Sequence, residues 1–359
     1  VSYDIIVIGG GIAGVSVAAE LSGEASVLLL EAERSLAYHA SGRSAAMFLP
    51  FYGNRVVRTL NEASADHHMN ADGGVLRPRP FLSVAPEAKT DHLDRATAEL
   101  GLTPMAPEDA LKLLPILDAD WLVAAATTDQ AWELDTDLLI QNYRRRLLAN
   151  GGQIETAARV DGMTRTDGSW HVSWQGGDAR APEMVNAAGA WADPVAAMAG
   201  LAPLGLQPHR RSMAQLAAPG ERDVTDWPFV EEVDETWYAR PDAGRWIVSP
   251  ADEDPVDPGD AWADDMVLAE GLARYQEAVT VEVTKPLTTW AGLRTIAPDR
   301  TLVVGPDPRM AGVWWSAGQA GYGFQTAPAV SRLLAAQIQG RTPDLDSETV
   351  TALGVERLI

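Results

Sequence analysis

The sequence predicts an α/β chain in which a parallel-sheet, Rossmann-like unit is interleaved with a second unit made of further strands. Three observations predict it. A β-branched run at Tyr3 to Ile8 leads through glycines into a helix and a second apolar run, which makes a βαβ unit. The order strand, glycine loop, helix returns near the end of the chain, from Val313 to Ile338. Between these ends lie strand-like segments at Leu76 to Val84, Gln207 to Ala217, Thr236 to Pro241 and Arg245 to Ser249. A chain of 359 residues with 46% hydrophobic content exceeds what one core usually serves, so about two domains are expected.

The first unit sets the chemistry. Tyr3 to Ile8 alternates poorly, as a parallel strand buried on both faces should. Gly9-Gly10-Gly11-Ile12-Ala13-Gly14 then fits GxGxxG: Gly9 for the tight turn, Gly11 for close approach of the backbone to a pyrophosphate, Gly14 for close helix packing. Val15 to Leu21 has helical spacing, and its N-terminus offers free N–H groups and positive dipole to a phosphate. Val27 to Leu30 is the second strand, and Glu31, twenty residues after Gly11, is placed to accept ribose hydroxyls and to disfavour a 2′-phosphate. The strand before the motif, the helix after it and the acid beyond it together imply dinucleotide binding rather than a glycine-rich turn alone.

Composition removes other classes. With 28 Lys+Arg against 50 Asp+Glu, the charge of −22 opposes non-specific binding to nucleic acid or anionic membrane. The absence of cysteine removes thiolate nucleophiles, Cys-ligated metals and a cysteinyl cofactor linkage. No stretch reaches the roughly 18 apolar residues of a membrane span, and no signal segment shows, so a cytoplasmic enzyme is the expectation. The run from Asp252 to Asp265 lacks the ligand order of a calcium loop and reads as solvated, as do His67 and His68, which point apart on a helix. No metal site is expected.

The segment His39 to Ala46 is unusual after a second strand: small residues around one Arg, suited to a backbone passing a phosphate and a planar ring. With Ile8 to Gly14, Tyr38 to Ala46, Val185 to Trp191, Leu204 to Pro208, Tyr238 to Gly244, Thr289 to Arg294 and Gly318 to Thr326 in this order, the chain resembles the FAD-dependent D-amino-acid oxidase and dehydrogenase family. Within it the chain is most similar to bacterial D-arginine dehydrogenases, over nearly its whole length.

The resemblance implies noncovalent FAD and an antiparallel sheet roofing the flavin. It divides the chain into a cofactor unit of residues 1–74, 140–205 and 292–359 and a substrate unit of residues 75–139 and 206–291. The cofactor would be held by Gly9, Gly11, Ile12, Ala13, Gly14, Glu31 and Ala32 in the first unit, and by Ser41, Gly42, Arg43, Ser44, Ala45 and Ala46 in the segment after it. Val160, Ala188, Gly189, Trp191 and Gly292 follow, and then the last loop with Gly318, Gly321, Tyr322, Gly323, Phe324 and Gln325. The helix after Gly323 can aim N–H groups at the flavin pyrimidine, where negative charge gathers on reduction.

By the same resemblance Arg211 and Arg294 grip a substrate carboxylate, helped by Tyr238 and Tyr52. A guanidinium fork orients a carboxylate as a lysine point charge does not. Alternation along the strand lets only one of Arg210 and Arg211 face inward. Departures from D-arginine dehydrogenases matter as well. Phe81 stands where those enzymes place an acid, Met47 where they place a histidine, and Leu49 where they place a hydroxyl residue. Met47, Leu49, Phe81 and Met213 therefore suggest a pocket for an apolar or aromatic side chain, with basic substrates disfavoured by an unpaired buried charge. Met47 and Phe81 read equally well as core.

The expected reaction is oxidative deamination of a D-amino acid: hydride passes from Cα to flavin N5, and the imino acid hydrolyses to an oxo acid and ammonia without a general base. Oxidation of a different amine, such as glycine, sarcosine or another N-methyl amino acid, is an alternative, and a non-catalytic dinucleotide-binding protein is another. The electron acceptor, whether oxygen, a quinone or another carrier, is left open. Residues Ser44 to Asn54 are expected to form a movable lid, and His39 is the one conceivable covalent flavin attachment.

Overall fold

The computed structural model describes residues 1–359. Its first sheet has six strands in the order Val303–Pro306, Val313–Ala317, Glu183–Asn186, Ile5–Ile8, Val27–Leu30, Gln153–Glu155. All pair in parallel except Val303–Pro306, which closes one edge antiparallel. Both faces are covered, which is why the strands read as unbroken apolar runs. Ile5, Val7, Val27 and Leu29 pack toward the helices Ile12–Leu21, Thr136–Ala149 and Gly323–Ile338. Ile6, Ile8, Leu28 and Leu30 pack toward Trp170, Val172 and Ala179 of an antiparallel three-stranded sheet of residues 160–181. The helix Ile12–Leu21 is buried on nearly every side, so its small residues serve packing rather than amphipathic patterning.

The second large sheet has nine strands. Its path runs Asp254–Pro255, Gln207–Leu216, Arg245–Ser249, Tyr238–Asp242, Phe229–Glu232, Phe81–Ala85, Ala124–Thr128, Thr103–Met105, with Thr288–Ile296 on the remaining edge of Gln207–Leu216. It is antiparallel as expected except at one seam, where Phe229–Glu232 runs parallel to Phe81–Ala85. These two strands are far apart in the chain, and a long crossover is what a parallel pair requires. The sheet has its own core, with Trp237, Trp246 and Tyr275 fully buried.

Several expectations need correction. Leu76 to Val84 is not one strand: Leu76–Pro78 joins Trp132–Leu134 and Met47–Phe48 in a small sheet, and Phe81–Ala85 joins the large one. Pro78 and Pro80 lack the donors that a continuous ladder needs. The expected junction between 291 and 292 falls inside the strand Thr288–Ile296, so Gly292 and Arg294 ride on the nine-stranded sheet. The helix Thr136–Ala149 already packs with Ile12–Leu21, so the return to the first sheet precedes residue 140. His68 is not solvated but wholly buried, with Nε2 donating to the Gln325 carbonyl at 3.0 Å, and His67 stacks on Tyr143 at 5.5 Å. Burial lowers the His68 pKa to about 4. Asp252, expected to be solvated, is buried against Ser212 and Arg210. Asp264 caps the helix Asp265–Glu277.

Candidate active site

A cavity of about 500 Å3 runs between the two large sheets. Its inner half is glycine and backbone. Gly9, Gly11, Ile12 and Ala13 line it, while Gly14 sits behind and lets helix meet strand: a Cβ there would lie 1.8 Å from the Gly9 carbonyl oxygen. Gly9 itself has φ +111°, and a Cβ on it would lie 2.3 Å from the Ala187 oxygen. The helix Ile12–Leu21 starts from Gly11 with no side-chain cap on that residue, leaving its first turn open to an anion except for Ile12 N–H, which donates to Ser41 Oγ at 3.0 Å.

Glu31 and Ala32 lie on the same wall. Glu31 also shapes the loop, because its Oε2 accepts from Gly10 N–H at 2.7 Å and its Oε1 from Glu33 N–H at 2.7 Å. The GxGxxG pattern did not by itself disclose that second duty. Ser41, Arg43, Ser44, Ala45, Ala46, Val160, Ala188, Gly189, Trp191 and Gly292 all line the cavity. The Arg43 guanidinium is committed to protein: Nη1 donates to Ala261 and Ala291 carbonyls, both at 2.9 Å, and Nη2 pairs with Asp260 at 2.5 Å. Gly42 lies off the wall against the Ala37 oxygen. His39 lines the cavity, holding Glu33 at 3.1 Å and packing against Trp191.

The C-terminal loop closes the floor. Gly321, Gly323, Phe324 and Gln325 line it, whereas Gly318 supplies a turn at φ +66° and Tyr322 turns toward Tyr52, 5.6 Å between rings. Gly321 has a separate use. A Cβ there would stand 3.0 Å from the Arg294 guanidinium carbon, so the absent side chain is what lets Arg294 lie on the loop.

The outer half is side chains. Arg211, Met213, Tyr238 and Arg294 project into the cavity from the nine-stranded sheet, and Met47, Leu49 and Tyr52 from the loop before the helix Arg55–Asn70. Alternation sends Arg211 inward and leaves Arg210 on Asp252 at 3.1 Å and Asp254 at 2.8 Å. Arg211 Nε is buried with no partner, and Glu253 comes no closer than 3.9 Å. Its guanidinium sits over the Tyr238 ring at 5.9 Å. Burial and then Arg294 press the Arg211 pKa down, while for Arg294 the loss from burial is outweighed by Tyr238, Tyr52, Glu235 and Tyr322, which raise it. Both remain charged at neutral pH. Two guanidinium groups beside each other, Arg211 buried and Arg294 half-buried, make an anion site: Glu253, 3.9 Å from Arg211, is the one carboxylate in ion-pair range, and no carboxylate is hydrogen-bonded to either.

Phe81 is not on the wall. It is buried one layer back, stacked on Phe229 at 5.8 Å, and it is Phe229 that meets the cavity. Nor is the wall wholly apolar: Glu231 and Glu235 reach it as well. Tyr52 donates its hydroxyl to Glu235 at 3.0 Å, and burial, then the Glu235 charge, push the phenol pKa well up. The strand Phe229–Glu232 that carries Phe229 and Glu231 went unread in the sequence. A Phe-Val-Glu-Glu run is short, and nothing local tells which acid faces in.

The loop Ser44 to Asn54 is tied down rather than loose. Asn61 Nδ2 lies 3.3, 3.4 and 3.3 Å from the carbonyls of Leu49, Pro50 and Tyr52, and Leu49 N–H donates to Gln325 Oε1 at 2.6 Å.

The glycine cradle, the open helix start and the acid at the second strand end fit FAD, and comparison with known proteins agrees. The cow FAD-dependent oxidoreductase domain-containing protein 1 is 24% identical over 93% of this chain and 81% of its own length. The D-amino acid dehydrogenase of Cereibacter sphaeroides is 40% identical over 70 residues, 20% of this chain and 15% of that protein. In fold, the glycine oxidase of Geobacillus kaustophilus superposes with a TM-score of 0.85 at 20% identity, covering 100% of this chain and 99% of that one. The DAO family model, described as FAD dependent oxidoreductase, matches residues 4–337. The chain therefore belongs to the DAO family of FAD-dependent oxidoreductases, and FAD is its cofactor.

Proposed function

We propose that the protein oxidatively deaminates an amino acid of the D series, with the side chain packed on Met47, Leu49, Met213 and Phe229. The observation that carries this reading is the pair Arg211 and Arg294, two charged guanidinium groups in the cavity with no carboxylate hydrogen-bonded to either and only the long Glu253 pair on Arg211 at 3.9 Å. A substrate carboxylate would satisfy both, and a bidentate grip would fix the α-carbon against the glycine-lined floor. Tyr238, beneath Arg211, would limit where the carboxylate can sit, and Tyr52 would close the site above it. Met47, paired with Glu133 in the small sheet, and Leu49, held by the Asn61 and Gln325 contacts, would exclude water from the reacting carbon.

Bound FAD supplies the hydride acceptor. The balance is simple: Cα–H leaves as hydride, the amine nitrogen loses one proton, and the imino acid takes up water to give an oxo acid and ammonia. The D series is supported by the local likeness to D-amino acid dehydrogenase and by the motif resemblance along the chain. The FAD-loaded protein should lose its yellow colour without oxygen when mixed with a D-amino acid, and keep it with the L form and with sarcosine. Bleaching by sarcosine would transfer the reading to secondary amines. Persistent oxidised flavin with every amine would overturn it.

A further inference from the structure

Glu231 stands apart from every other acid in the molecule. It is 9% exposed, it faces the cavity, and its carboxylate has neither a hydrogen-bond donor nor a cation in contact. Its sequence neighbour Glu232 faces the opposite side of the sheet, where Lys89 pairs with it at 2.9 Å and Thr236 donates to it at 2.7 Å. Burial, with Glu235 and Glu232 nearby, pushes the Glu231 pKa well above the usual carboxylate range. An isolated buried carboxylate is costly unless something pairs with it. Here the one open direction is the cavity.

The sheet tells which part of a substrate it would meet. Arg211 and Glu231 belong to strands Gln207–Leu216 and Phe229–Glu232, with Arg245–Ser249 and Tyr238–Asp242 between them. Three strand spacings put about 14 Å between the two strands. Tyr238 is the direct cross-strand partner of Glu231 and stands between the two ends, under the Arg211 guanidinium on one side and stacked on Phe229 at 5.3 Å on the other. In an amino acid the α-ammonium is one carbon from the carboxylate, so a carboxylate held by Arg211 and Arg294 keeps that ammonium at the arginine end. What reaches Glu231 is the far end of the side chain, after its methylenes have passed Met213 and Phe229.

We propose that Glu231 is a specificity-determining residue that takes a cation, an ammonium or guanidinium, at the end of the substrate side chain. This rests on the proposed function above and narrows it: the apolar wall holds the stem of the side chain, and a carboxylate receives its tip. It reverses the expectation that basic substrates are excluded, which rested on Phe81 as the pocket wall.

The test uses the FAD-loaded enzyme without oxygen and follows flavin reduction by D-lysine and by D-norleucine, which has the same carbon chain without the terminal nitrogen. The wild type should favour D-lysine in kcat/KM by about tenfold or more, as a charge-assisted contact allows. E231Q, which keeps the shape, should lower that ratio at least about tenfold, and E231L should bring it below one. A wild type that prefers D-norleucine, or a ratio that E231Q leaves unchanged, overturns the role of Glu231 and leaves the carboxylate site standing. Reduction by sarcosine with none by either D-amino acid overturns the functional reading and this one together.

Discussion

The two walls of the cavity are made by opposite means. The inner wall is backbone: Gly9, Gly11, Gly189 and Gly321 bring main chain close, and the open start of the helix Ile12–Leu21 supplies donors without any side chain. The outer wall is side chains, most of them standing on a sheet whose strands come from residues 81 to 296, with Met47, Leu49 and Tyr52 added by the loop before the helix Arg55–Asn70. Backbone recognition tolerates little change in the chain and suits one invariant ligand. Side-chain recognition leaves the sheet intact while the ligand changes, so specificity is expected to live on the outer wall.

That contrast breaks or holds under substitution. Arg294→Met should cost about 10^2 to 10^3 in kcat/KM, as loss of one member of a buried charge-assisted grip does, with FAD still bound; steady-state kinetics beside the flavin spectrum would show it. If FAD were lost as well, the walls would not be separable. Gly9→Ala should act the other way, removing FAD and lowering stability by about 3 kcal/mol, because the new Cβ meets backbone and the φ of +111° is foreign to alanine. Retained flavin and an unchanged melting temperature would contradict a backbone-made wall.

A subtler link between the walls runs through His68, whose Nε2 donates to the Gln325 carbonyl while Gln325 Oε1 holds Leu49. Its pKa is depressed from 6.5 to about 4 by burial. The unfolded chain therefore binds the proton more readily, so this contribution is complete above pH 6.5 and is lost as pH falls toward 4. The loss is of order 3 kcal/mol. His68→Gln should flatten the corresponding part of the stability against pH curve, and parallel curves for the two proteins would refute the link. Smallest is Phe81→Leu, which should cost about 1 kcal/mol of stability through looser packing behind Phe229 and leave the D-lysine to D-norleucine ratio as it was. A changed ratio would return Phe81 to the cavity wall.

The sequence was most informative where function depends on local order. Gly9 to Gly14, the strands on either side and Glu31 lie within one stretch of chain, and the mechanism dictates their spacing, so the cofactor wall could be read directly. Arg211 was legible in a weaker way, through alternation beside Arg210 and through resemblance. Glu231 and Phe229 were not legible. Their place depends on a parallel seam with Phe81–Ala85 and an antiparallel one with Tyr238–Asp242, and no local pattern discloses a pairing across such distances in the chain. The same seam moved Phe81 from the wall into the core.

By itself, then, the sequence determined the α/β class, the glycine cradle and dinucleotide binding, because a βαβ unit is a local object whose geometry is written in consecutive residues, and the resemblance along the chain narrowed the dinucleotide to FAD. Only the tertiary structure decided which side chains share the outer wall: that the two arginines meet with no acid hydrogen-bonded to them, and that an unpartnered carboxylate faces them from three strands away. Those facts are set by strand order and register, which arise from non-local pairing and burial, and they decide what a chain of net charge −22 draws into its cavity.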